Sequence, residues 1–244
     1  MPRRLRADVY LLYLVFRTLD DLVDEGDPAA PASLTAVDAW CEAGTVTTRE
    51  TAVLADLARR HELPRAALQD FCAGMRDDLG GLHLQTEADL ELYCYRVAGT
   101  VGVVMTALLG STSPVADRYA GALGIAMQRT NILRDIDEDL AAGRCYVPQE
   151  TLERFGDDLR PGHRAALMRD GIARADAWFD EGLTGVTLLR GGRLAIRSAA
   201  AMYREILRQI EREGHGAAPG RAVVPTRRKL LVATRATVLR RDRA

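Results

Sequence analysis

The chain has 244 residues, 48% of them hydrophobic and 27% charged, with a formal net charge of −1. That composition excludes an intrinsically disordered chain, a collagen and a small disulfide scaffold. No global field recruits nucleic acid, although residues 190–244 hold 14 basic against 4 acidic residues and leave the remainder acidic.

Helical periodicity runs through almost every segment, and strand-like alternation is scarce. Residues 7–25 place Tyr10, Tyr13, Arg17, Asp20 and Asp24 along one stripe. Helices follow over 51–61 and 64–79, with Pro64 suited to a first turn and Gly80-Gly81 as a stop. Thr86-Glu-Ala-Asp89 reads as a capping box opening a helix that runs to about Gly110. Ser113-Pro114 starts another, ended by Gly143. Later helices span about 161–185, 193–213 and 221–241. No repeat or linker interrupts the chain, so 1–244 reads as one all-α domain.

Cys41, Cys72, Cys94 and Cys145 form no Cys-x-x-Cys pair, and His61, His83, His163 and His215 show no ligand spacing. A reducing cytoplasm fits. The basic start and the apolar 9–16 run resemble a short signal peptide. Asp8, Arg17, Asp20 and the lack of a small-residue cleavage site argue against one. The uncharged 97–116 stretch, broken by Gly110-Ser-Thr-Ser-Pro114, reads as a core helix rather than a membrane span.

Two acidic clusters carry the chemistry. In Asp20-Asp21-Leu-Val-Asp24-Glu25, Asp20 and Asp24 share a helix face, and Asp21 and Glu25 repeat the spacing one residue round. Like charges four apart cost a helix about 0.2–0.5 kcal/mol per pair. Such local conflict is expected where a cation or ligand supplies the missing charge. In the second cluster Asn131, Asp135 and Asp139 stack at i, i+4, i+8, and Gln128 extends the stripe. Oxygen ligands suit Mg²⁺, which takes one or two carboxylates plus substrate phosphates. Each cluster alone is commonly a solvated acidic face; two, each led by an arginine (Arg17, Arg134), suggest a Mg²⁺-diphosphate site.

At these residues the sequence resembles the squalene/phytoene synthase family, the head-to-head trans-isoprenyl diphosphate synthases. Three blocks carry the likeness: Tyr13-Leu-Val-Phe-Arg17-Thr-Leu-Asp20-Asp21-Leu-Val-Asp24-Glu25, then Tyr93-Cys-Tyr-Arg-Val97-Ala98-Gly99-Thr-Val-Gly102, then Gln128-Arg-Thr-Asn131-Ile-Leu-Arg134-Asp135-Ile-Asp-Glu-Asp139 with Gly143-Arg144-Cys-Tyr146-Val-Pro148. The resemblance implies an isoprenoid-synthase-type helical bundle around a central cavity. It also implies that this chain, as written, lacks the family's first helix, which helps hold diphosphate.

By the same resemblance Asp20, Asp24, Asp135 and Asp139 bind Mg²⁺, or Mn²⁺ in its place. Arg17, Asp21, Gln128, Asn131, Arg134, Tyr146, Arg227 and Arg228 serve the substrate diphosphates. Tyr13, Tyr93 and Tyr203 line the reaction centre. Val97, Ala98, Gly99 and Gly102 leave a channel for the prenyl tail; ordinary helix packing accounts for these small residues and tyrosines equally well.

The implied reaction joins two prenyl diphosphates, C15 or C20, through a cyclopropylcarbinyl diphosphate to a C30 or C40 product. No Gly-x-Gly-x-x-Gly fingerprint supports NADPH, although relatives that reduce need none. The resemblance also allows peripheral membrane contact for product release. Two other readings stand beside it: a terpene cyclase, and a relative retained as an assembly or scaffold protein.

Overall fold

The computed structural model describes residues 3–238. Those residues form an all-helical bundle: α1 (Arg3–Asp24), α2 (Ala30–Ala43), α3 (Arg49–Ala58), α4 (Arg65–Leu79), α5 (Glu87–Cys94), α6 (Thr100–Leu109), α7 (Ala116–Ala141), α8 (Gln149–Phe155), α9 (Ala165–Thr184), α10 (Arg193–Arg212) and α11 (Thr226–Val238). Among the described residues the only β pairing is an isolated bridge between Ser111 and Leu189.

Local chemistry sets several boundaries. Thr86 Oγ1 accepts from the Asp89 N–H at 3.2 Å while Asp89 Oδ2 accepts from the Thr86 N–H at 2.8 Å, the reciprocal box expected at that position. Thr48 and Thr51 build the same device at the start of α3, two residues earlier than periodicity placed it. Helices α2 and α8 were not marked by the sequence pattern; α2 carries a proline in its first turn and α8 is seven residues long. The last helix starts at Thr226 rather than 221, because 221–225 form a non-helical strap ending in Pro225. Residues 239–241 of that expected helix lie outside the described residues.

Between α5 and α6 the backbone does not stay α-helical. Tyr95–Gly99 is one turn of π-helix, so Glu87–Leu109 is continuous but carries one inserted residue. This is the one helix among the described residues long and apolar enough to cross a membrane, and half of its most apolar window is buried in the fold.

Three apolar clusters hold the bundle. The first joins α1, α2, α3, α4 and α6 through Leu12, Phe16, Leu19, Trp40, Leu54, Phe71 and Val104. The second joins α7, α9 and α10 through Ala126, Leu133, Met168, Phe179 and Leu207. A smaller third, with Leu84, Leu90, Tyr93, Ile125 and Ile132, lies between α5 and α7. Leu5, Val9 and Met105 touch the first two, and Val97 touches the first and third. At about 25 cal/mol per Å² these faces supply the main driving force for assembly.

Helices approach most closely where side chains are absent. A Cβ on Gly124 would sit 2.3 Å from the Ala98 carbonyl oxygen, and one on Gly102 would sit 2.4 Å from that of Ala120. Glycine at these positions lets α7 lie directly against the π turn and α6.

Candidate active site

The C-terminal half of α1 and the middle of α7 face each other across one cavity of about 410 Å³. From α1 it is lined by Arg17, Asp20 and Asp24, and from α7 by Gln128, Asn131, Ile132, Arg134, Asp135, Glu138 and Asp139. The i, i+4 spacing on each helix is what aims these groups the same way. Met75 and Asp78 from α4, Tyr93 and Val97 from the α5–π segment, and Arg144, Tyr146 and Arg221 from loops complete the lining.

The two walls are electrostatically joined. Arg144 Nη1 lies 3.4 Å from Asp24 and Nη2 lies 3.8 Å from Asp139, so one guanidinium spans from one acidic helix to the other. Arg134 forks onto Asp135 with bonds of 2.7 and 2.5 Å, and Arg221 reaches the same carboxylate at 3.0 Å. Arg17 sits 3.4 Å from Asp20 and 2.6 Å from Asp21.

Positive charge nevertheless falls short. Burial, reinforced by the neighbouring Asp24 charge, pushes the Asp20 carboxyl up to about 6. Burial does the same to Asp139, also to about 6, against the opposing pull of Arg144. Burial acts to lower Arg134, yet its bond to Asp135 carries it above the usual value. Asn131 Nδ2 donates to Gln128 at 3.2 Å, while Asn131 Oδ1 is buried without a hydrogen-bond partner. An unpaired amide oxygen and under-compensated carboxylates form an all-oxygen donor set that fits a hard divalent cation. Among the described residues no three carboxylates, imidazoles or thiolates converge into a ready-made ion cage. The remaining ligands must come from water and from the bound anion.

The structure places Arg17, Asp20, Asp24, Tyr93, Val97, Gln128, Asn131, Arg134, Asp135, Asp139 and Tyr146 on the cavity. Eight other candidates lie elsewhere. Tyr13 is 55% exposed, on the same face of α1 as Asp20 but two turns nearer the N-terminus and outside the cavity lining. Asp21 sits one residue round the helix, bonded to Arg17 outside the lining. Ala98, Gly99 and Gly102 face α7, where their backbones make close approaches to it. Tyr203 packs into the α7–α9–α10 cluster. Arg227 is exposed, and Arg228 Nε pairs with Glu205 at 2.8 Å.

Asp78, Arg144 and Arg221 were not among the expected residues. Asp78 comes from the last turn of α4, with no acidic partner four residues away on a recognised motif. Arg144 was visible only as part of the Gly143-Arg144 block, and Arg221 belongs to the strap before α11 rather than to a helix. The four cysteines are unpaired, Cys145 exposed and the other three buried.

The chain is similar to known proteins over nearly its whole length. A family model described as squalene/phytoene synthase matches residues 1–228. The chain is 37% identical to a 15-cis-phytoene synthase of Synechocystis sp., covering 95% of this chain and 76% of that one. It is 39% identical to a phytoene synthase of Thermus thermophilus, covering 88% and 77%. A crystal structure of a dehydrosqualene synthase superposes with a TM-score of 0.88 at 27% identity, covering 99% of this chain and 89% of that one. A squalene synthase from Alicyclobacillus acidocaldarius gives 0.79 at 31% identity, covering 89% and 87%. By the family model over residues 1–228 and these relatives, this protein belongs to the squalene/phytoene synthase family and is a prenyltransferase of that type.

Proposed function

We propose that the enzyme condenses two prenyl diphosphates head to head, with Mg²⁺ (or Mn²⁺) as its ion, through a cyclopropylcarbinyl diphosphate to a C30 or C40 product. The observation that carries this reading is the meeting of Asp20/Asp24 and Asp135/Asp139 across one cavity that also holds arginines and tyrosines. Matching relatives named phytoene synthase favour a C20 substrate and a C40 product.

Asp20, Asp24, Asp135, Asp139 and Asn131 are the residues that would hold the ion. When bound, it supplies Lewis-acid withdrawal of electrons from the departing diphosphate. Arg17, Arg134, Arg144 and Arg221 add charge-assisted hydrogen bonds to phosphate oxygens. Val97 and Ile132 form an apolar shoulder of the cavity, against which the prenyl chain packs and excludes water. The ring faces of Tyr93 and Tyr146, stacked at 5.4 Å, stabilise the developing carbocation. Membrane contact during product release belongs to the same proposal through the resemblance, and a cytoplasmic location through the scattered cysteines, which form no motif, while no nucleotide fingerprint in the chain supports NADPH.

Incubating the purified protein with farnesyl or geranylgeranyl diphosphate, with and without Mg²⁺ and NADPH, tests it. A linear C30 or C40 hydrocarbon that requires the ion is the expected product. A cyclic C15 or C20 product would replace this reading with that of a terpene cyclase, and no turnover at all would favour a scaffold.

A further inference from the structure

Asp78 stands apart from both aspartate motifs, yet it lines the same cavity. Tyr93, which is 4% exposed, donates its hydroxyl proton to Asp78, with 3.0 Å to Oδ1 and 3.1 Å to Oδ2. Tyr146 donates to Oδ1 at 3.2 Å. The two rings stack with an interplanar angle of 22°, so both hydroxyls are held against one carboxylate. The neighbouring Asp77 is different: it pairs with Arg96 at 2.9 Å. Asp78 has two neutral phenols as its hydrogen-bond donors, and the charges of Asp24 and Arg144 reach it only through space.

A phenol has one proton and two lone pairs on oxygen. With both protons committed to Asp78, the oxygens keep lone pairs for other partners, and the cavity is the open side. A carboxylate satisfied only by neutral donors also keeps a strong demand for a proton: burial lifts Asp78 to about 6, against the lowering pull of the two phenols. Burial correspondingly holds the Tyr93 phenol well above its ordinary range, so a lone phenolate does not form there. Tyr93 can take up a proton only as it gives its own away.

We propose that Asp78 is a positioning residue that orients the Tyr93 and Tyr146 hydroxyls and receives the Tyr93 proton as Tyr93 takes up the one lost from substrate. This rests on the head-to-head reading above. In that step diphosphate has already left with the C–O electron pair, and the second chain's double bond has attacked. The C–H bond at the joining carbon then breaks, and its electrons close the cyclopropane ring on the tertiary cation. The proton passes to Tyr93 Oη while the Tyr93 proton passes to Asp78. Charge balances without an oxidant, and Asp78 returns its proton to water after product leaves.

Asp78→Asn tests this, because an amide oxygen still accepts from the phenols but cannot be protonated in their place. With geranylgeranyl or farnesyl diphosphate and Mg²⁺, kcat for condensed product should fall by about 100-fold or more while KM stays within about threefold. Prenyl alcohol, from water capture of the cation, should rise relative to condensed product. Asp78→Glu should recover part of the rate. Tyr93→Phe, which keeps the ring stack, should lose kcat to a similar degree, and it decides the matter if the asparagine variant does not fold. Retained kcat in either Asp78→Asn or Tyr93→Phe overturns the relay. So does a parallel collapse of kcat, KM and melting temperature in Asp78→Asn without rescue by glutamate, which marks a structural carboxylate. Absence of turnover in the unaltered protein sinks the reaction reading, and the relay with it; loss confined to the variants bears on the relay alone.

Discussion

Replacing Gly124 with alanine pits two opposite effects against each other. Alanine in a helix interior is favoured over glycine by about 1 kcal/mol, which alone makes the variant more stable. The new methyl, however, would lie 2.3 Å from the Ala98 oxygen, 2.5 Å from its carbonyl carbon and 2.6 Å from Gly99 Cα. All three are backbone atoms, so no side chain can swing aside, and α7 must move off the π turn by roughly 1 Å to regain ordinary contact. Overpacking of this kind costs up to about 3 kcal/mol. The net is a loss of about 2 kcal/mol, or roughly 4–8 °C in melting temperature for a chain of this size. Gln128 and Asn131 lie one and two turns further along the same helix, so the displacement carries into the cavity, and a shift of about 1 Å can cost about 100-fold in rate. Circular dichroism melting and a diphosphate-release assay read both effects. A variant as stable as the parent, with unchanged turnover, would show that α7 does not depend on this close approach.

Arg129, 4% exposed, pairs with Glu87, which also accepts from Thr151 at 2.7 Å; Arg129→Ala should cost about 3–5 kcal/mol in urea denaturation, whereas Arg129→Met with Glu87→Met should recover most of it. Arg221→Ala should raise KM about tenfold or more, as expected for a lost charge-assisted contact, while Arg227→Ala, outside the cavity, should leave KM unchanged; equal effects would contradict the placement of the 221–225 strap. Asp20 and Asp139 have folded values near 6, above the ordinary 3.8. Their protonation therefore stabilises the metal-free protein at acid pH, and that contribution is lost as pH rises through 6. The Asp20→Asn/Asp139→Asn variant should gain melting temperature relative to the parent between pH 4 and 7, and a pH-independent difference would show that the two carboxylates are not desolvated.

The acidic walls were legible because a helix converts a four-residue spacing into a shared face, and Asp20/Asp24 and Asn131/Asp135/Asp139 needed no tertiary knowledge to be grouped. The cap at Thr86 was legible for the same reason: both of its partners lie within four residues. Asp78 and Arg221 could not be grouped this way. Each enters the site from an element end or strap whose position depends on how other helices pack. Ala98 and Gly102 show the converse difficulty, since a small residue lining a channel and one admitting a neighbouring backbone have the same sequence signature. Tyr13 shares the stripe of Asp20 and Asp24, but it sits two turns nearer the N-terminus, beyond the stretch of α1 that lines the cavity.

The π turn at Tyr95–Gly99 also fixes a phase relation along the longest apolar helix. Each residue advances an α-helix by about 100°. The extra residue lets Leu90, Tyr93 and Cys94 address one cluster while Val103, Val104 and Leu108 address another. Excising a single residue within 95–99 would leave an unbroken, well-bonded rod, yet everything downstream would rotate by about a quarter of a circle. Lineages and libraries that vary in length should therefore place their insertions and deletions in the connecting loops and keep the count through this turn constant.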